Sequence, residues 1–451
     1  MKLHHQPKRF DARRERASVL IIVLWVCIGL VSIALYFANQ MTYELRASDN
    51  RVSGIMADQA IEGAARYVGI ALQNYATNGA VPDNTQFKCE AVSVGDAKFW
   101  LISRDPAEGN STAPYFGFVD EGGKLNLNNF STNVFQYLPN VTSDFADAIK
   151  DWRGTNGVVS LDYTSLGYAP KYAPFETVDE LRLVYGATVD MLVGEDLNRN
   201  GVLDANEKDV NSSGELDSGL FENVTVYTRE PNFHADGSSL TNVNTLTKTQ
   251  TQALFQSLGT SRVNQLWTQI EARQRQNQKF NGLLDFALFC NGQNVSSDIF
   301  ATIANNIETT TNTYIRNRVN VNTANSDVLV AMLMGASVDE QTALSTAQTL
   351  ITYRQQNPNN LGSIAWVIDA LGNQSPTLKT MATHDWWTTH SYQFSADIAA
   401  VGPFGRGYRR VKFIFDVSDG SPKILYRQDL SRLGWALGDK ARETLVAKDT
   451  Q

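Results

Sequence analysis

Two runs near the middle of the chain carry side chains suited to holding a hard cation. Asp196-Leu197-Asn198-Arg199-Asn200-Gly201-Val202-Leu203-Asp204-Ala205-Asn206-Glu207 sets oxygen-bearing side chains at positions one, three, five, nine and twelve of a twelve-residue loop. That is the spacing of an EF-hand calcium loop. Asp196, Asn198 and Asn200 offer side-chain oxygens, Val202 its backbone carbonyl, Asp204 a direct or water-mediated contact, and Glu207 a closing bidentate carboxylate. Gly201 permits the sharp turn, and Leu203 is expected to be the apolar packing residue. A second run, Asp209-Val210-Asn211-Ser212-Ser213-Gly214-Glu215-Leu216-Asp217, repeats the first half. Its candidate ligands are Asp209, Asn211, Ser213, Glu215 and Asp217. Position twelve there is Leu220, so the closing glutamate is missing, and Glu222 follows two residues later. The expected cofactor is calcium, one ion in the first loop and a second in the weaker one. Its expected role is structural, tying down a long segment that has no core of its own.

Catalytic patterns are missing from the sequence. It contains no Gly-x-Ser-x-Gly, no phosphate-binding Gly-Lys-Ser/Thr, no Cys-x-x-Cys and no His-Glu-x-x-His. His384 and His390 flank Asp385, Trp386 and Trp387 and read as surface or satisfied core residues. The reading is therefore a protein that is not an enzyme. Cys89 and Cys290 lie far apart in sequence, and Cys27 lies within an apolar run.

The elements that position these loops begin at the N-terminus. Val19 to Ala38 contains no ionisable side chain, and Arg13, Arg14 and Arg16 directly precede it. A helix of that length rises about 30 Å, enough to span a bilayer core. No proline occurs before Pro82 after this run, and Ile55 to Val68 is amphipathic. The pattern predicts one long helix, apolar in its first half and amphipathic in its second. Basic residues on its N-terminal side place the N-terminus in the cytoplasm and the body outside. The chain carries a net charge of −8, and the first 17 residues hold six basic and two acidic groups, leaving −12 for the remainder. Such a body is a poor partner for nucleic acid.

Short alternating runs follow, at Lys98–Ile102 and Tyr115–Val119, and again at Tyr392–Val401, Tyr408–Asp416 and Lys423–Arg427. Two isolated strand sets bury too little surface to be stable, so both sets are expected in one sheet. The intervening segment is mostly helical and contains an internal echo. Lys124-Leu125-Asn126-Leu127-Asn128-Asn129 is matched by Arg318-Val319-Asn320-Val321-Asn322-Thr323, and Phe175–Gly186 by Leu361–Gly372. A third Asn-Val-Asn-Thr stands at Asn242 to Thr245.

With Ala148-Ile149-Lys150-Asp151-Trp152 and Ala173-Pro174-Phe175-Glu176-Thr177-Val178-Asp179-Glu180-Leu181, these phrases resemble the minor pseudopilin K family of type II secretion systems, within the type IV pilin-like class. The resemblance runs from about Arg13 to about Arg427. It implies an α+β fold, with a long transmembrane helix packed on an antiparallel sheet and a large helical insertion of two sterile-alpha-motif-like (SAM-like) modules. The implied divisions are a leader over 1–17, the helix over 18–80, the sheet domain over 81–123 and 388–437, the insertion over 124–387 with the calcium loops at 196–217, and a flexible tail over 438–451. It also implies cleavage by prepilin peptidase between Ala17 and Ser18, although the family's leader usually ends in Gly. Counting from Ser18, the fifth residue is Ile22, where most pilins carry Glu. In the family that Glu neutralises the terminal amine of a neighbouring subunit, so Ile22 marks a subunit with none above it. The implied function is a minor pseudopilin at the tip of the pseudopilus, starting its assembly and supporting export across the outer membrane. Its implied partners are other minor pseudopilins, the major pseudopilin, prepilin peptidase and the bacterial inner membrane, with the body in the periplasm. Alternatives are a membrane-anchored calcium-dependent adhesin or binding module, or a minor pilin of a related type IV pilus.

Overall fold

The computed structural model describes residues 12–105, 113–154 and 163–447. Helix α1 (Ala12–Tyr75) is continuous over 64 residues, about 96 Å at 1.5 Å per residue. From Val19 to Val52 its side chains are all exposed, among them Leu20, Ile22, Trp25 and Phe37. Length and apolarity fit this half to a single-pass membrane anchor. From Ser53 onward the helix buries one stripe, including Ala57, Ala60, Ile61, Ala64, Val68 and Leu72. The spacings of three and four place these residues on one helical face. The expected leader lies outside the described residues as far as Asp11. From Ala12 the chain is already helical, so the Ala17–Ser18 bond lies within α1.

The stripe packs on an antiparallel sheet of order β1-β2-β5-β6-β7: β1 (Val92–Val94), β2 (Ala97–Ser103), β5 (Gln393–Val401), β6 (Arg409–Asp416) and β7 (Lys423–Asp429). Two short strands, β3 (Tyr115–Phe116) and β4 (Val119–Asp120), pair with β2 and β5. The pooled sheet therefore forms as expected. Leu101 lies opposite Ile398, and Ala396 opposite Phe413. Phe99, Leu101, Phe394, Ile398, Phe413 and Phe415 face α1, where the stripe's alanines allow close approach. Trp100, Ile102, Ala399 and Val401 point to the other face and are covered by Ala436 and Leu437.

The segment between β4 and β5 has its own large core. Where two modules were expected, three units of the same build are present, the third Asn-Val-Asn-Thr phrase opening the middle one. Each unit starts with a short strand paired in parallel with a strand at its end: Leu125–Asn126 with Val224–Thr225, Thr241–Asn242 with Ile307–Glu308, and Val319–Asn320 with Trp387–Thr388. In each, the first Asn turns the chain by accepting from a backbone N–H two residues on, at 2.9, 2.8 and 2.9 Å for Asn126, Asn242 and Asn320. The second Asn reaches a distant backbone: Asn128 to Phe175, Asn244 to Phe280 and Asn322 to Leu361. Asparagine recurs because its amide offers both a donor and an acceptor to an otherwise unpaired chain.

The expected helix after Thr177 is a 3₁₀ turn, Val178–Leu183, with Thr177 and Glu180 in a capping box. The tail departs from expectation. Residues 438–447 form helix α2 (Gly438–Ala447) rather than a frayed end, with Leu445 against the turn at Gly405. Apolar Leu445 and Ala441, partly buried beside Trp435, explain why it winds up there. Cys89 and Cys290 are both unpaired.

Candidate cation-binding site

The two loops hang as one excursion between the helices Val189–Val193 and Leu220–Asn223. Its neck is closed by bonds from Gly219 N–H to the Val193 carbonyl (3.1 Å) and from Glu195 N–H to the Asp217 carbonyl (3.0 Å). Gly194 sits there at φ 68°, and a Cβ at that position would lie 2.2 Å from the Asp217 carbonyl oxygen. Only glycine fits this crossing.

Side chains of the first loop turn inward. The Asp196 carboxylate accepts from the backbone N–H groups of Asn200 (2.9 Å) and Gly201 (2.7 Å). The Asn198 and Asn200 amides both donate to Asp204 Oδ2, at 2.6 and 2.9 Å. Glu207 closes the loop, accepting from Asn198 N–H (3.1 Å) and Asp204 N–H (3.0 Å). Asp196, Asn198 and Asn200 are buried, and so is Val202, whereas Leu203 is only partly covered. Val202 is thus the packing residue in place of Leu203, because the loop presses its position-seven side against the protein. Burial pushes the Asp196 carboxyl up to about 6 against the pull of Arg104, and a cation would relieve that strain on its charge.

The second loop repeats the geometry on the surface. Asp209 accepts from Ser213 N–H (3.2 Å) and Gly214 N–H (2.8 Å), and Asn211 donates to Asp217 (2.6 Å). Glu215 N–H meets the Ser213 hydroxyl at 3.1 Å. Leu220 is buried in the core. Glu222 turns away from this loop and forms a two-pronged pair with Arg104, at 2.9 and 2.6 Å. The missing carboxylate comes from the other side. Glu195 accepts from Val210 N–H (2.6 Å) and Asp217 N–H (3.1 Å), much as Glu207 does in the first loop. Sequence reasoning missed Glu195, whose only signal was a carboxylate directly before the first loop. Burial raises the Asp217 carboxyl, reinforced by the negative charges of Glu195, Asp209 and Glu215.

Among the described residues no three carboxylate, imidazole or thiol groups converge as a metal cluster. The first loop's donor set is of another kind, mixing amide and backbone oxygens with carboxylates. Hard oxygens at this spacing suit calcium rather than a softer metal. The residues that would hold a first ion are Asp196, Asn198, Asn200, Val202, Asp204 and Glu207. Those for a second are Asp209, Asn211, Ser213, Glu215 and Asp217, joined by Glu195.

The first loop is docked on the sheet's far face. Arg410 of β6 is fully buried and pairs with Asp397 of β5 at 2.8 and 2.6 Å. Its remaining N–H groups donate to the loop carbonyls of Asn198 and Arg199. Arg104 donates to the Arg199 carbonyl at 3.1 Å. The two histidines are satisfied as expected: His390 lies between Glu230 (3.2 Å) and Asn305 (2.8 Å), and His384 stacks against Trp386.

A long helix packs on an antiparallel sheet that is interrupted by a mostly helical insertion, an α+β fold. No family model and no curated protein matches the chain. A chain in the crystal structure of the GspK-GspI-GspJ complex from the enterotoxigenic Escherichia coli type 2 secretion system is similar to it. The identity is 9% and the TM-score 0.37, covering 87% of this chain and 98% of that one.

Proposed function

We propose that this protein is a minor pseudopilin: a non-catalytic subunit that sits at the outer end of a periplasmic pseudopilus and helps start its assembly in protein export. The observation that carries this reading is α1. Its Val19–Val52 half is uncovered by the rest of the chain, while the amphipathic half holds the body at one end. A simple anchor needs only the span of a bilayer, whereas a rod of about 96 Å offers its surplus length to sister helices. Ile22 supports the terminal position. It puts no carboxylate in the membrane to neutralise the amine of a further subunit, and the inserted domain, carried at the other end of α1, adds bulk that would obstruct a subunit stacking above. On this reading prepilin peptidase cuts before Ser18, the helix sits in the inner membrane, and other minor pseudopilins and the major pseudopilin are its partners. Calcium in the double loop would stiffen the inserted domain.

Cys27 offers a native reporter, being exposed on α1. Oxidative cross-linking of Cys27 to cysteines placed in the membrane helices of co-expressed pilin-like subunits is expected to give specific heterodimers. Recovery of this chain alone, with those subunits present in the same membrane, would refute the reading.

A further inference from the structure

The segment between β7 and α2 makes two contacts that its own packing does not require. The amide nitrogens of Asn198 and Asn200 donate to the carbonyls of Trp435 (3.3 Å) and Ala436 (3.5 Å). Both amides belong to the first cation loop, and both also donate to Asp204 at shorter range, 2.6 and 2.9 Å. Each amide has two N–H groups, so one serves Asp204 inside the loop while the other reaches a carbonyl of the C-terminal segment.

We propose that cation binding in the first loop and seating of the Leu430–Leu437 strap are coupled through Asn198, Asn200 and the positioning residue Arg410. This rests on the calcium reading of the loop. A cation held by Asn198 and Asn200 uses their oxygens, leaving the nitrogens as outward donors. It also engages Asp204, so each amide is fixed by the cation at its oxygen and by a strap carbonyl at its outer N–H. Arg410 makes the coupling stiff. Its charge is matched by Asp397, and it holds the loop from behind by the carbonyls of Asn198 and Arg199.

Beyond the strap the contacts continue to α1. Ala436 and Leu437 are buried against Trp100, Ile102, Ala399 and Val401. Leu445 of α2 lies on Gly405, and a Cβ at Gly402 or Gly407 of the same turn would meet the Ser53 carbonyl at 2.4 and 2.6 Å. Arg406 and Arg409 pair with Asp49 and Asp58. Loop, strap, turn and helix thus form a chain of direct contacts. Cation occupancy in the inserted domain accordingly biases how firmly the body grips α1 where the helix leaves the membrane half.

The test uses the full chain in detergent micelles. Calcium binding is measured by calorimetry, and amide hydrogen exchange is followed with calcium and with chelator. Calcium is expected to slow exchange at 430–437 about tenfold, within the range of typical coupled sites, and to leave the core helix Ser326–Gly335 unchanged. Coupling is reciprocal, so Leu437→Ser, or a chain ending at Arg432, is expected to weaken calcium binding by a similar factor. Calcium binding with unaltered exchange at 430–437 and a dissociation constant within about twofold in both variants would overturn the coupling while leaving the calcium reading intact. No calcium binding by the unmodified chain would remove both.

Discussion

Arg104 stands at the seam between the sheet and the inserted domain, and its replacement by methionine makes a sharp test of how the two are joined. The guanidinium follows β2 and grips Glu222 with two bonds, at 2.9 and 2.6 Å. It also reaches the Arg199 carbonyl in the first candidate loop. Burial pushes the Glu222 carboxyl up, but the Arg104 charge outweighs it and holds the group far below the usual range. Exposed pairs contribute about 0.2–1 kcal/mol, and breaking a buried one costs about 3–5 kcal/mol. With the two side chains 28% and 18% exposed, Arg104→Met falls between, at about 2–3 kcal/mol. Glu222→Leu together with Arg104→Met is expected to recover much of that, because no unpaired charge is left. The assay is a double-mutant cycle from urea unfolding followed by tryptophan fluorescence. pH gives an independent sign. The lowered pKa of Glu222 contributes stability above its ordinary 4.5, which is lost as pH falls toward the folded value. In Arg104→Met the buried carboxyl takes up a proton instead, so the variant's deficit shrinks as pH drops from 7 toward 4.5. A coupling below about 0.5 kcal/mol, or a deficit that grows on acidification, would refute the seam.

Other expectations are as direct. Glu207→Gln is expected to weaken calcium binding on the order of 100-fold, since affinity in such loops follows ligand charge and number; Glu195→Gln should affect only the second ion, as read by calorimetric stoichiometry. Gly194→Ala places a methyl on the Asp217 carbonyl and is expected to cost about 2 kcal/mol or more and to abolish second-site binding. Asp120, held by Ser391, Asn320 and Gly122, is pushed by burial up to about 6 from its ordinary 3.8. The native state therefore holds a proton that the unfolded chain has lost, and the wild type loses up to about 3 kcal/mol as pH rises from 4 through 6. Asp120→Asn should lack that slope in pH-resolved denaturation.

What the sequence revealed follows from how each feature is encoded. The membrane half of α1 is a run without charge, and the sheet strands alternate, so both were readable locally. The candidate first loop was readable because its oxygen-bearing side chains come from one continuous stretch. Glu195 was not, because it serves the second loop from outside that stretch. The third helical unit opened with a visible Asn-Val-Asn phrase, but its helix Thr260–Arg275 is largely polar and buries only Val263, Leu266 and Ile270, which obscured it. Arg410 was invisible for a simpler reason: it meets the loop through backbone carbonyls, and a backbone contact leaves no residue signature. Helix α2 was read as a frayed tail because its apolar side is short and finds its cover on the distant turn at Gly405.

On the proposed function, α1 is a processed pilin-type helix built to join a filament. The most direct measurement is the mass of the mature N-terminus recovered from native membranes. A polypeptide beginning at Ser18, after cleavage of the Ala17–Ser18 bond, is the predicted result. A protein that retains Met1 in a membrane with active prepilin peptidase would contradict it.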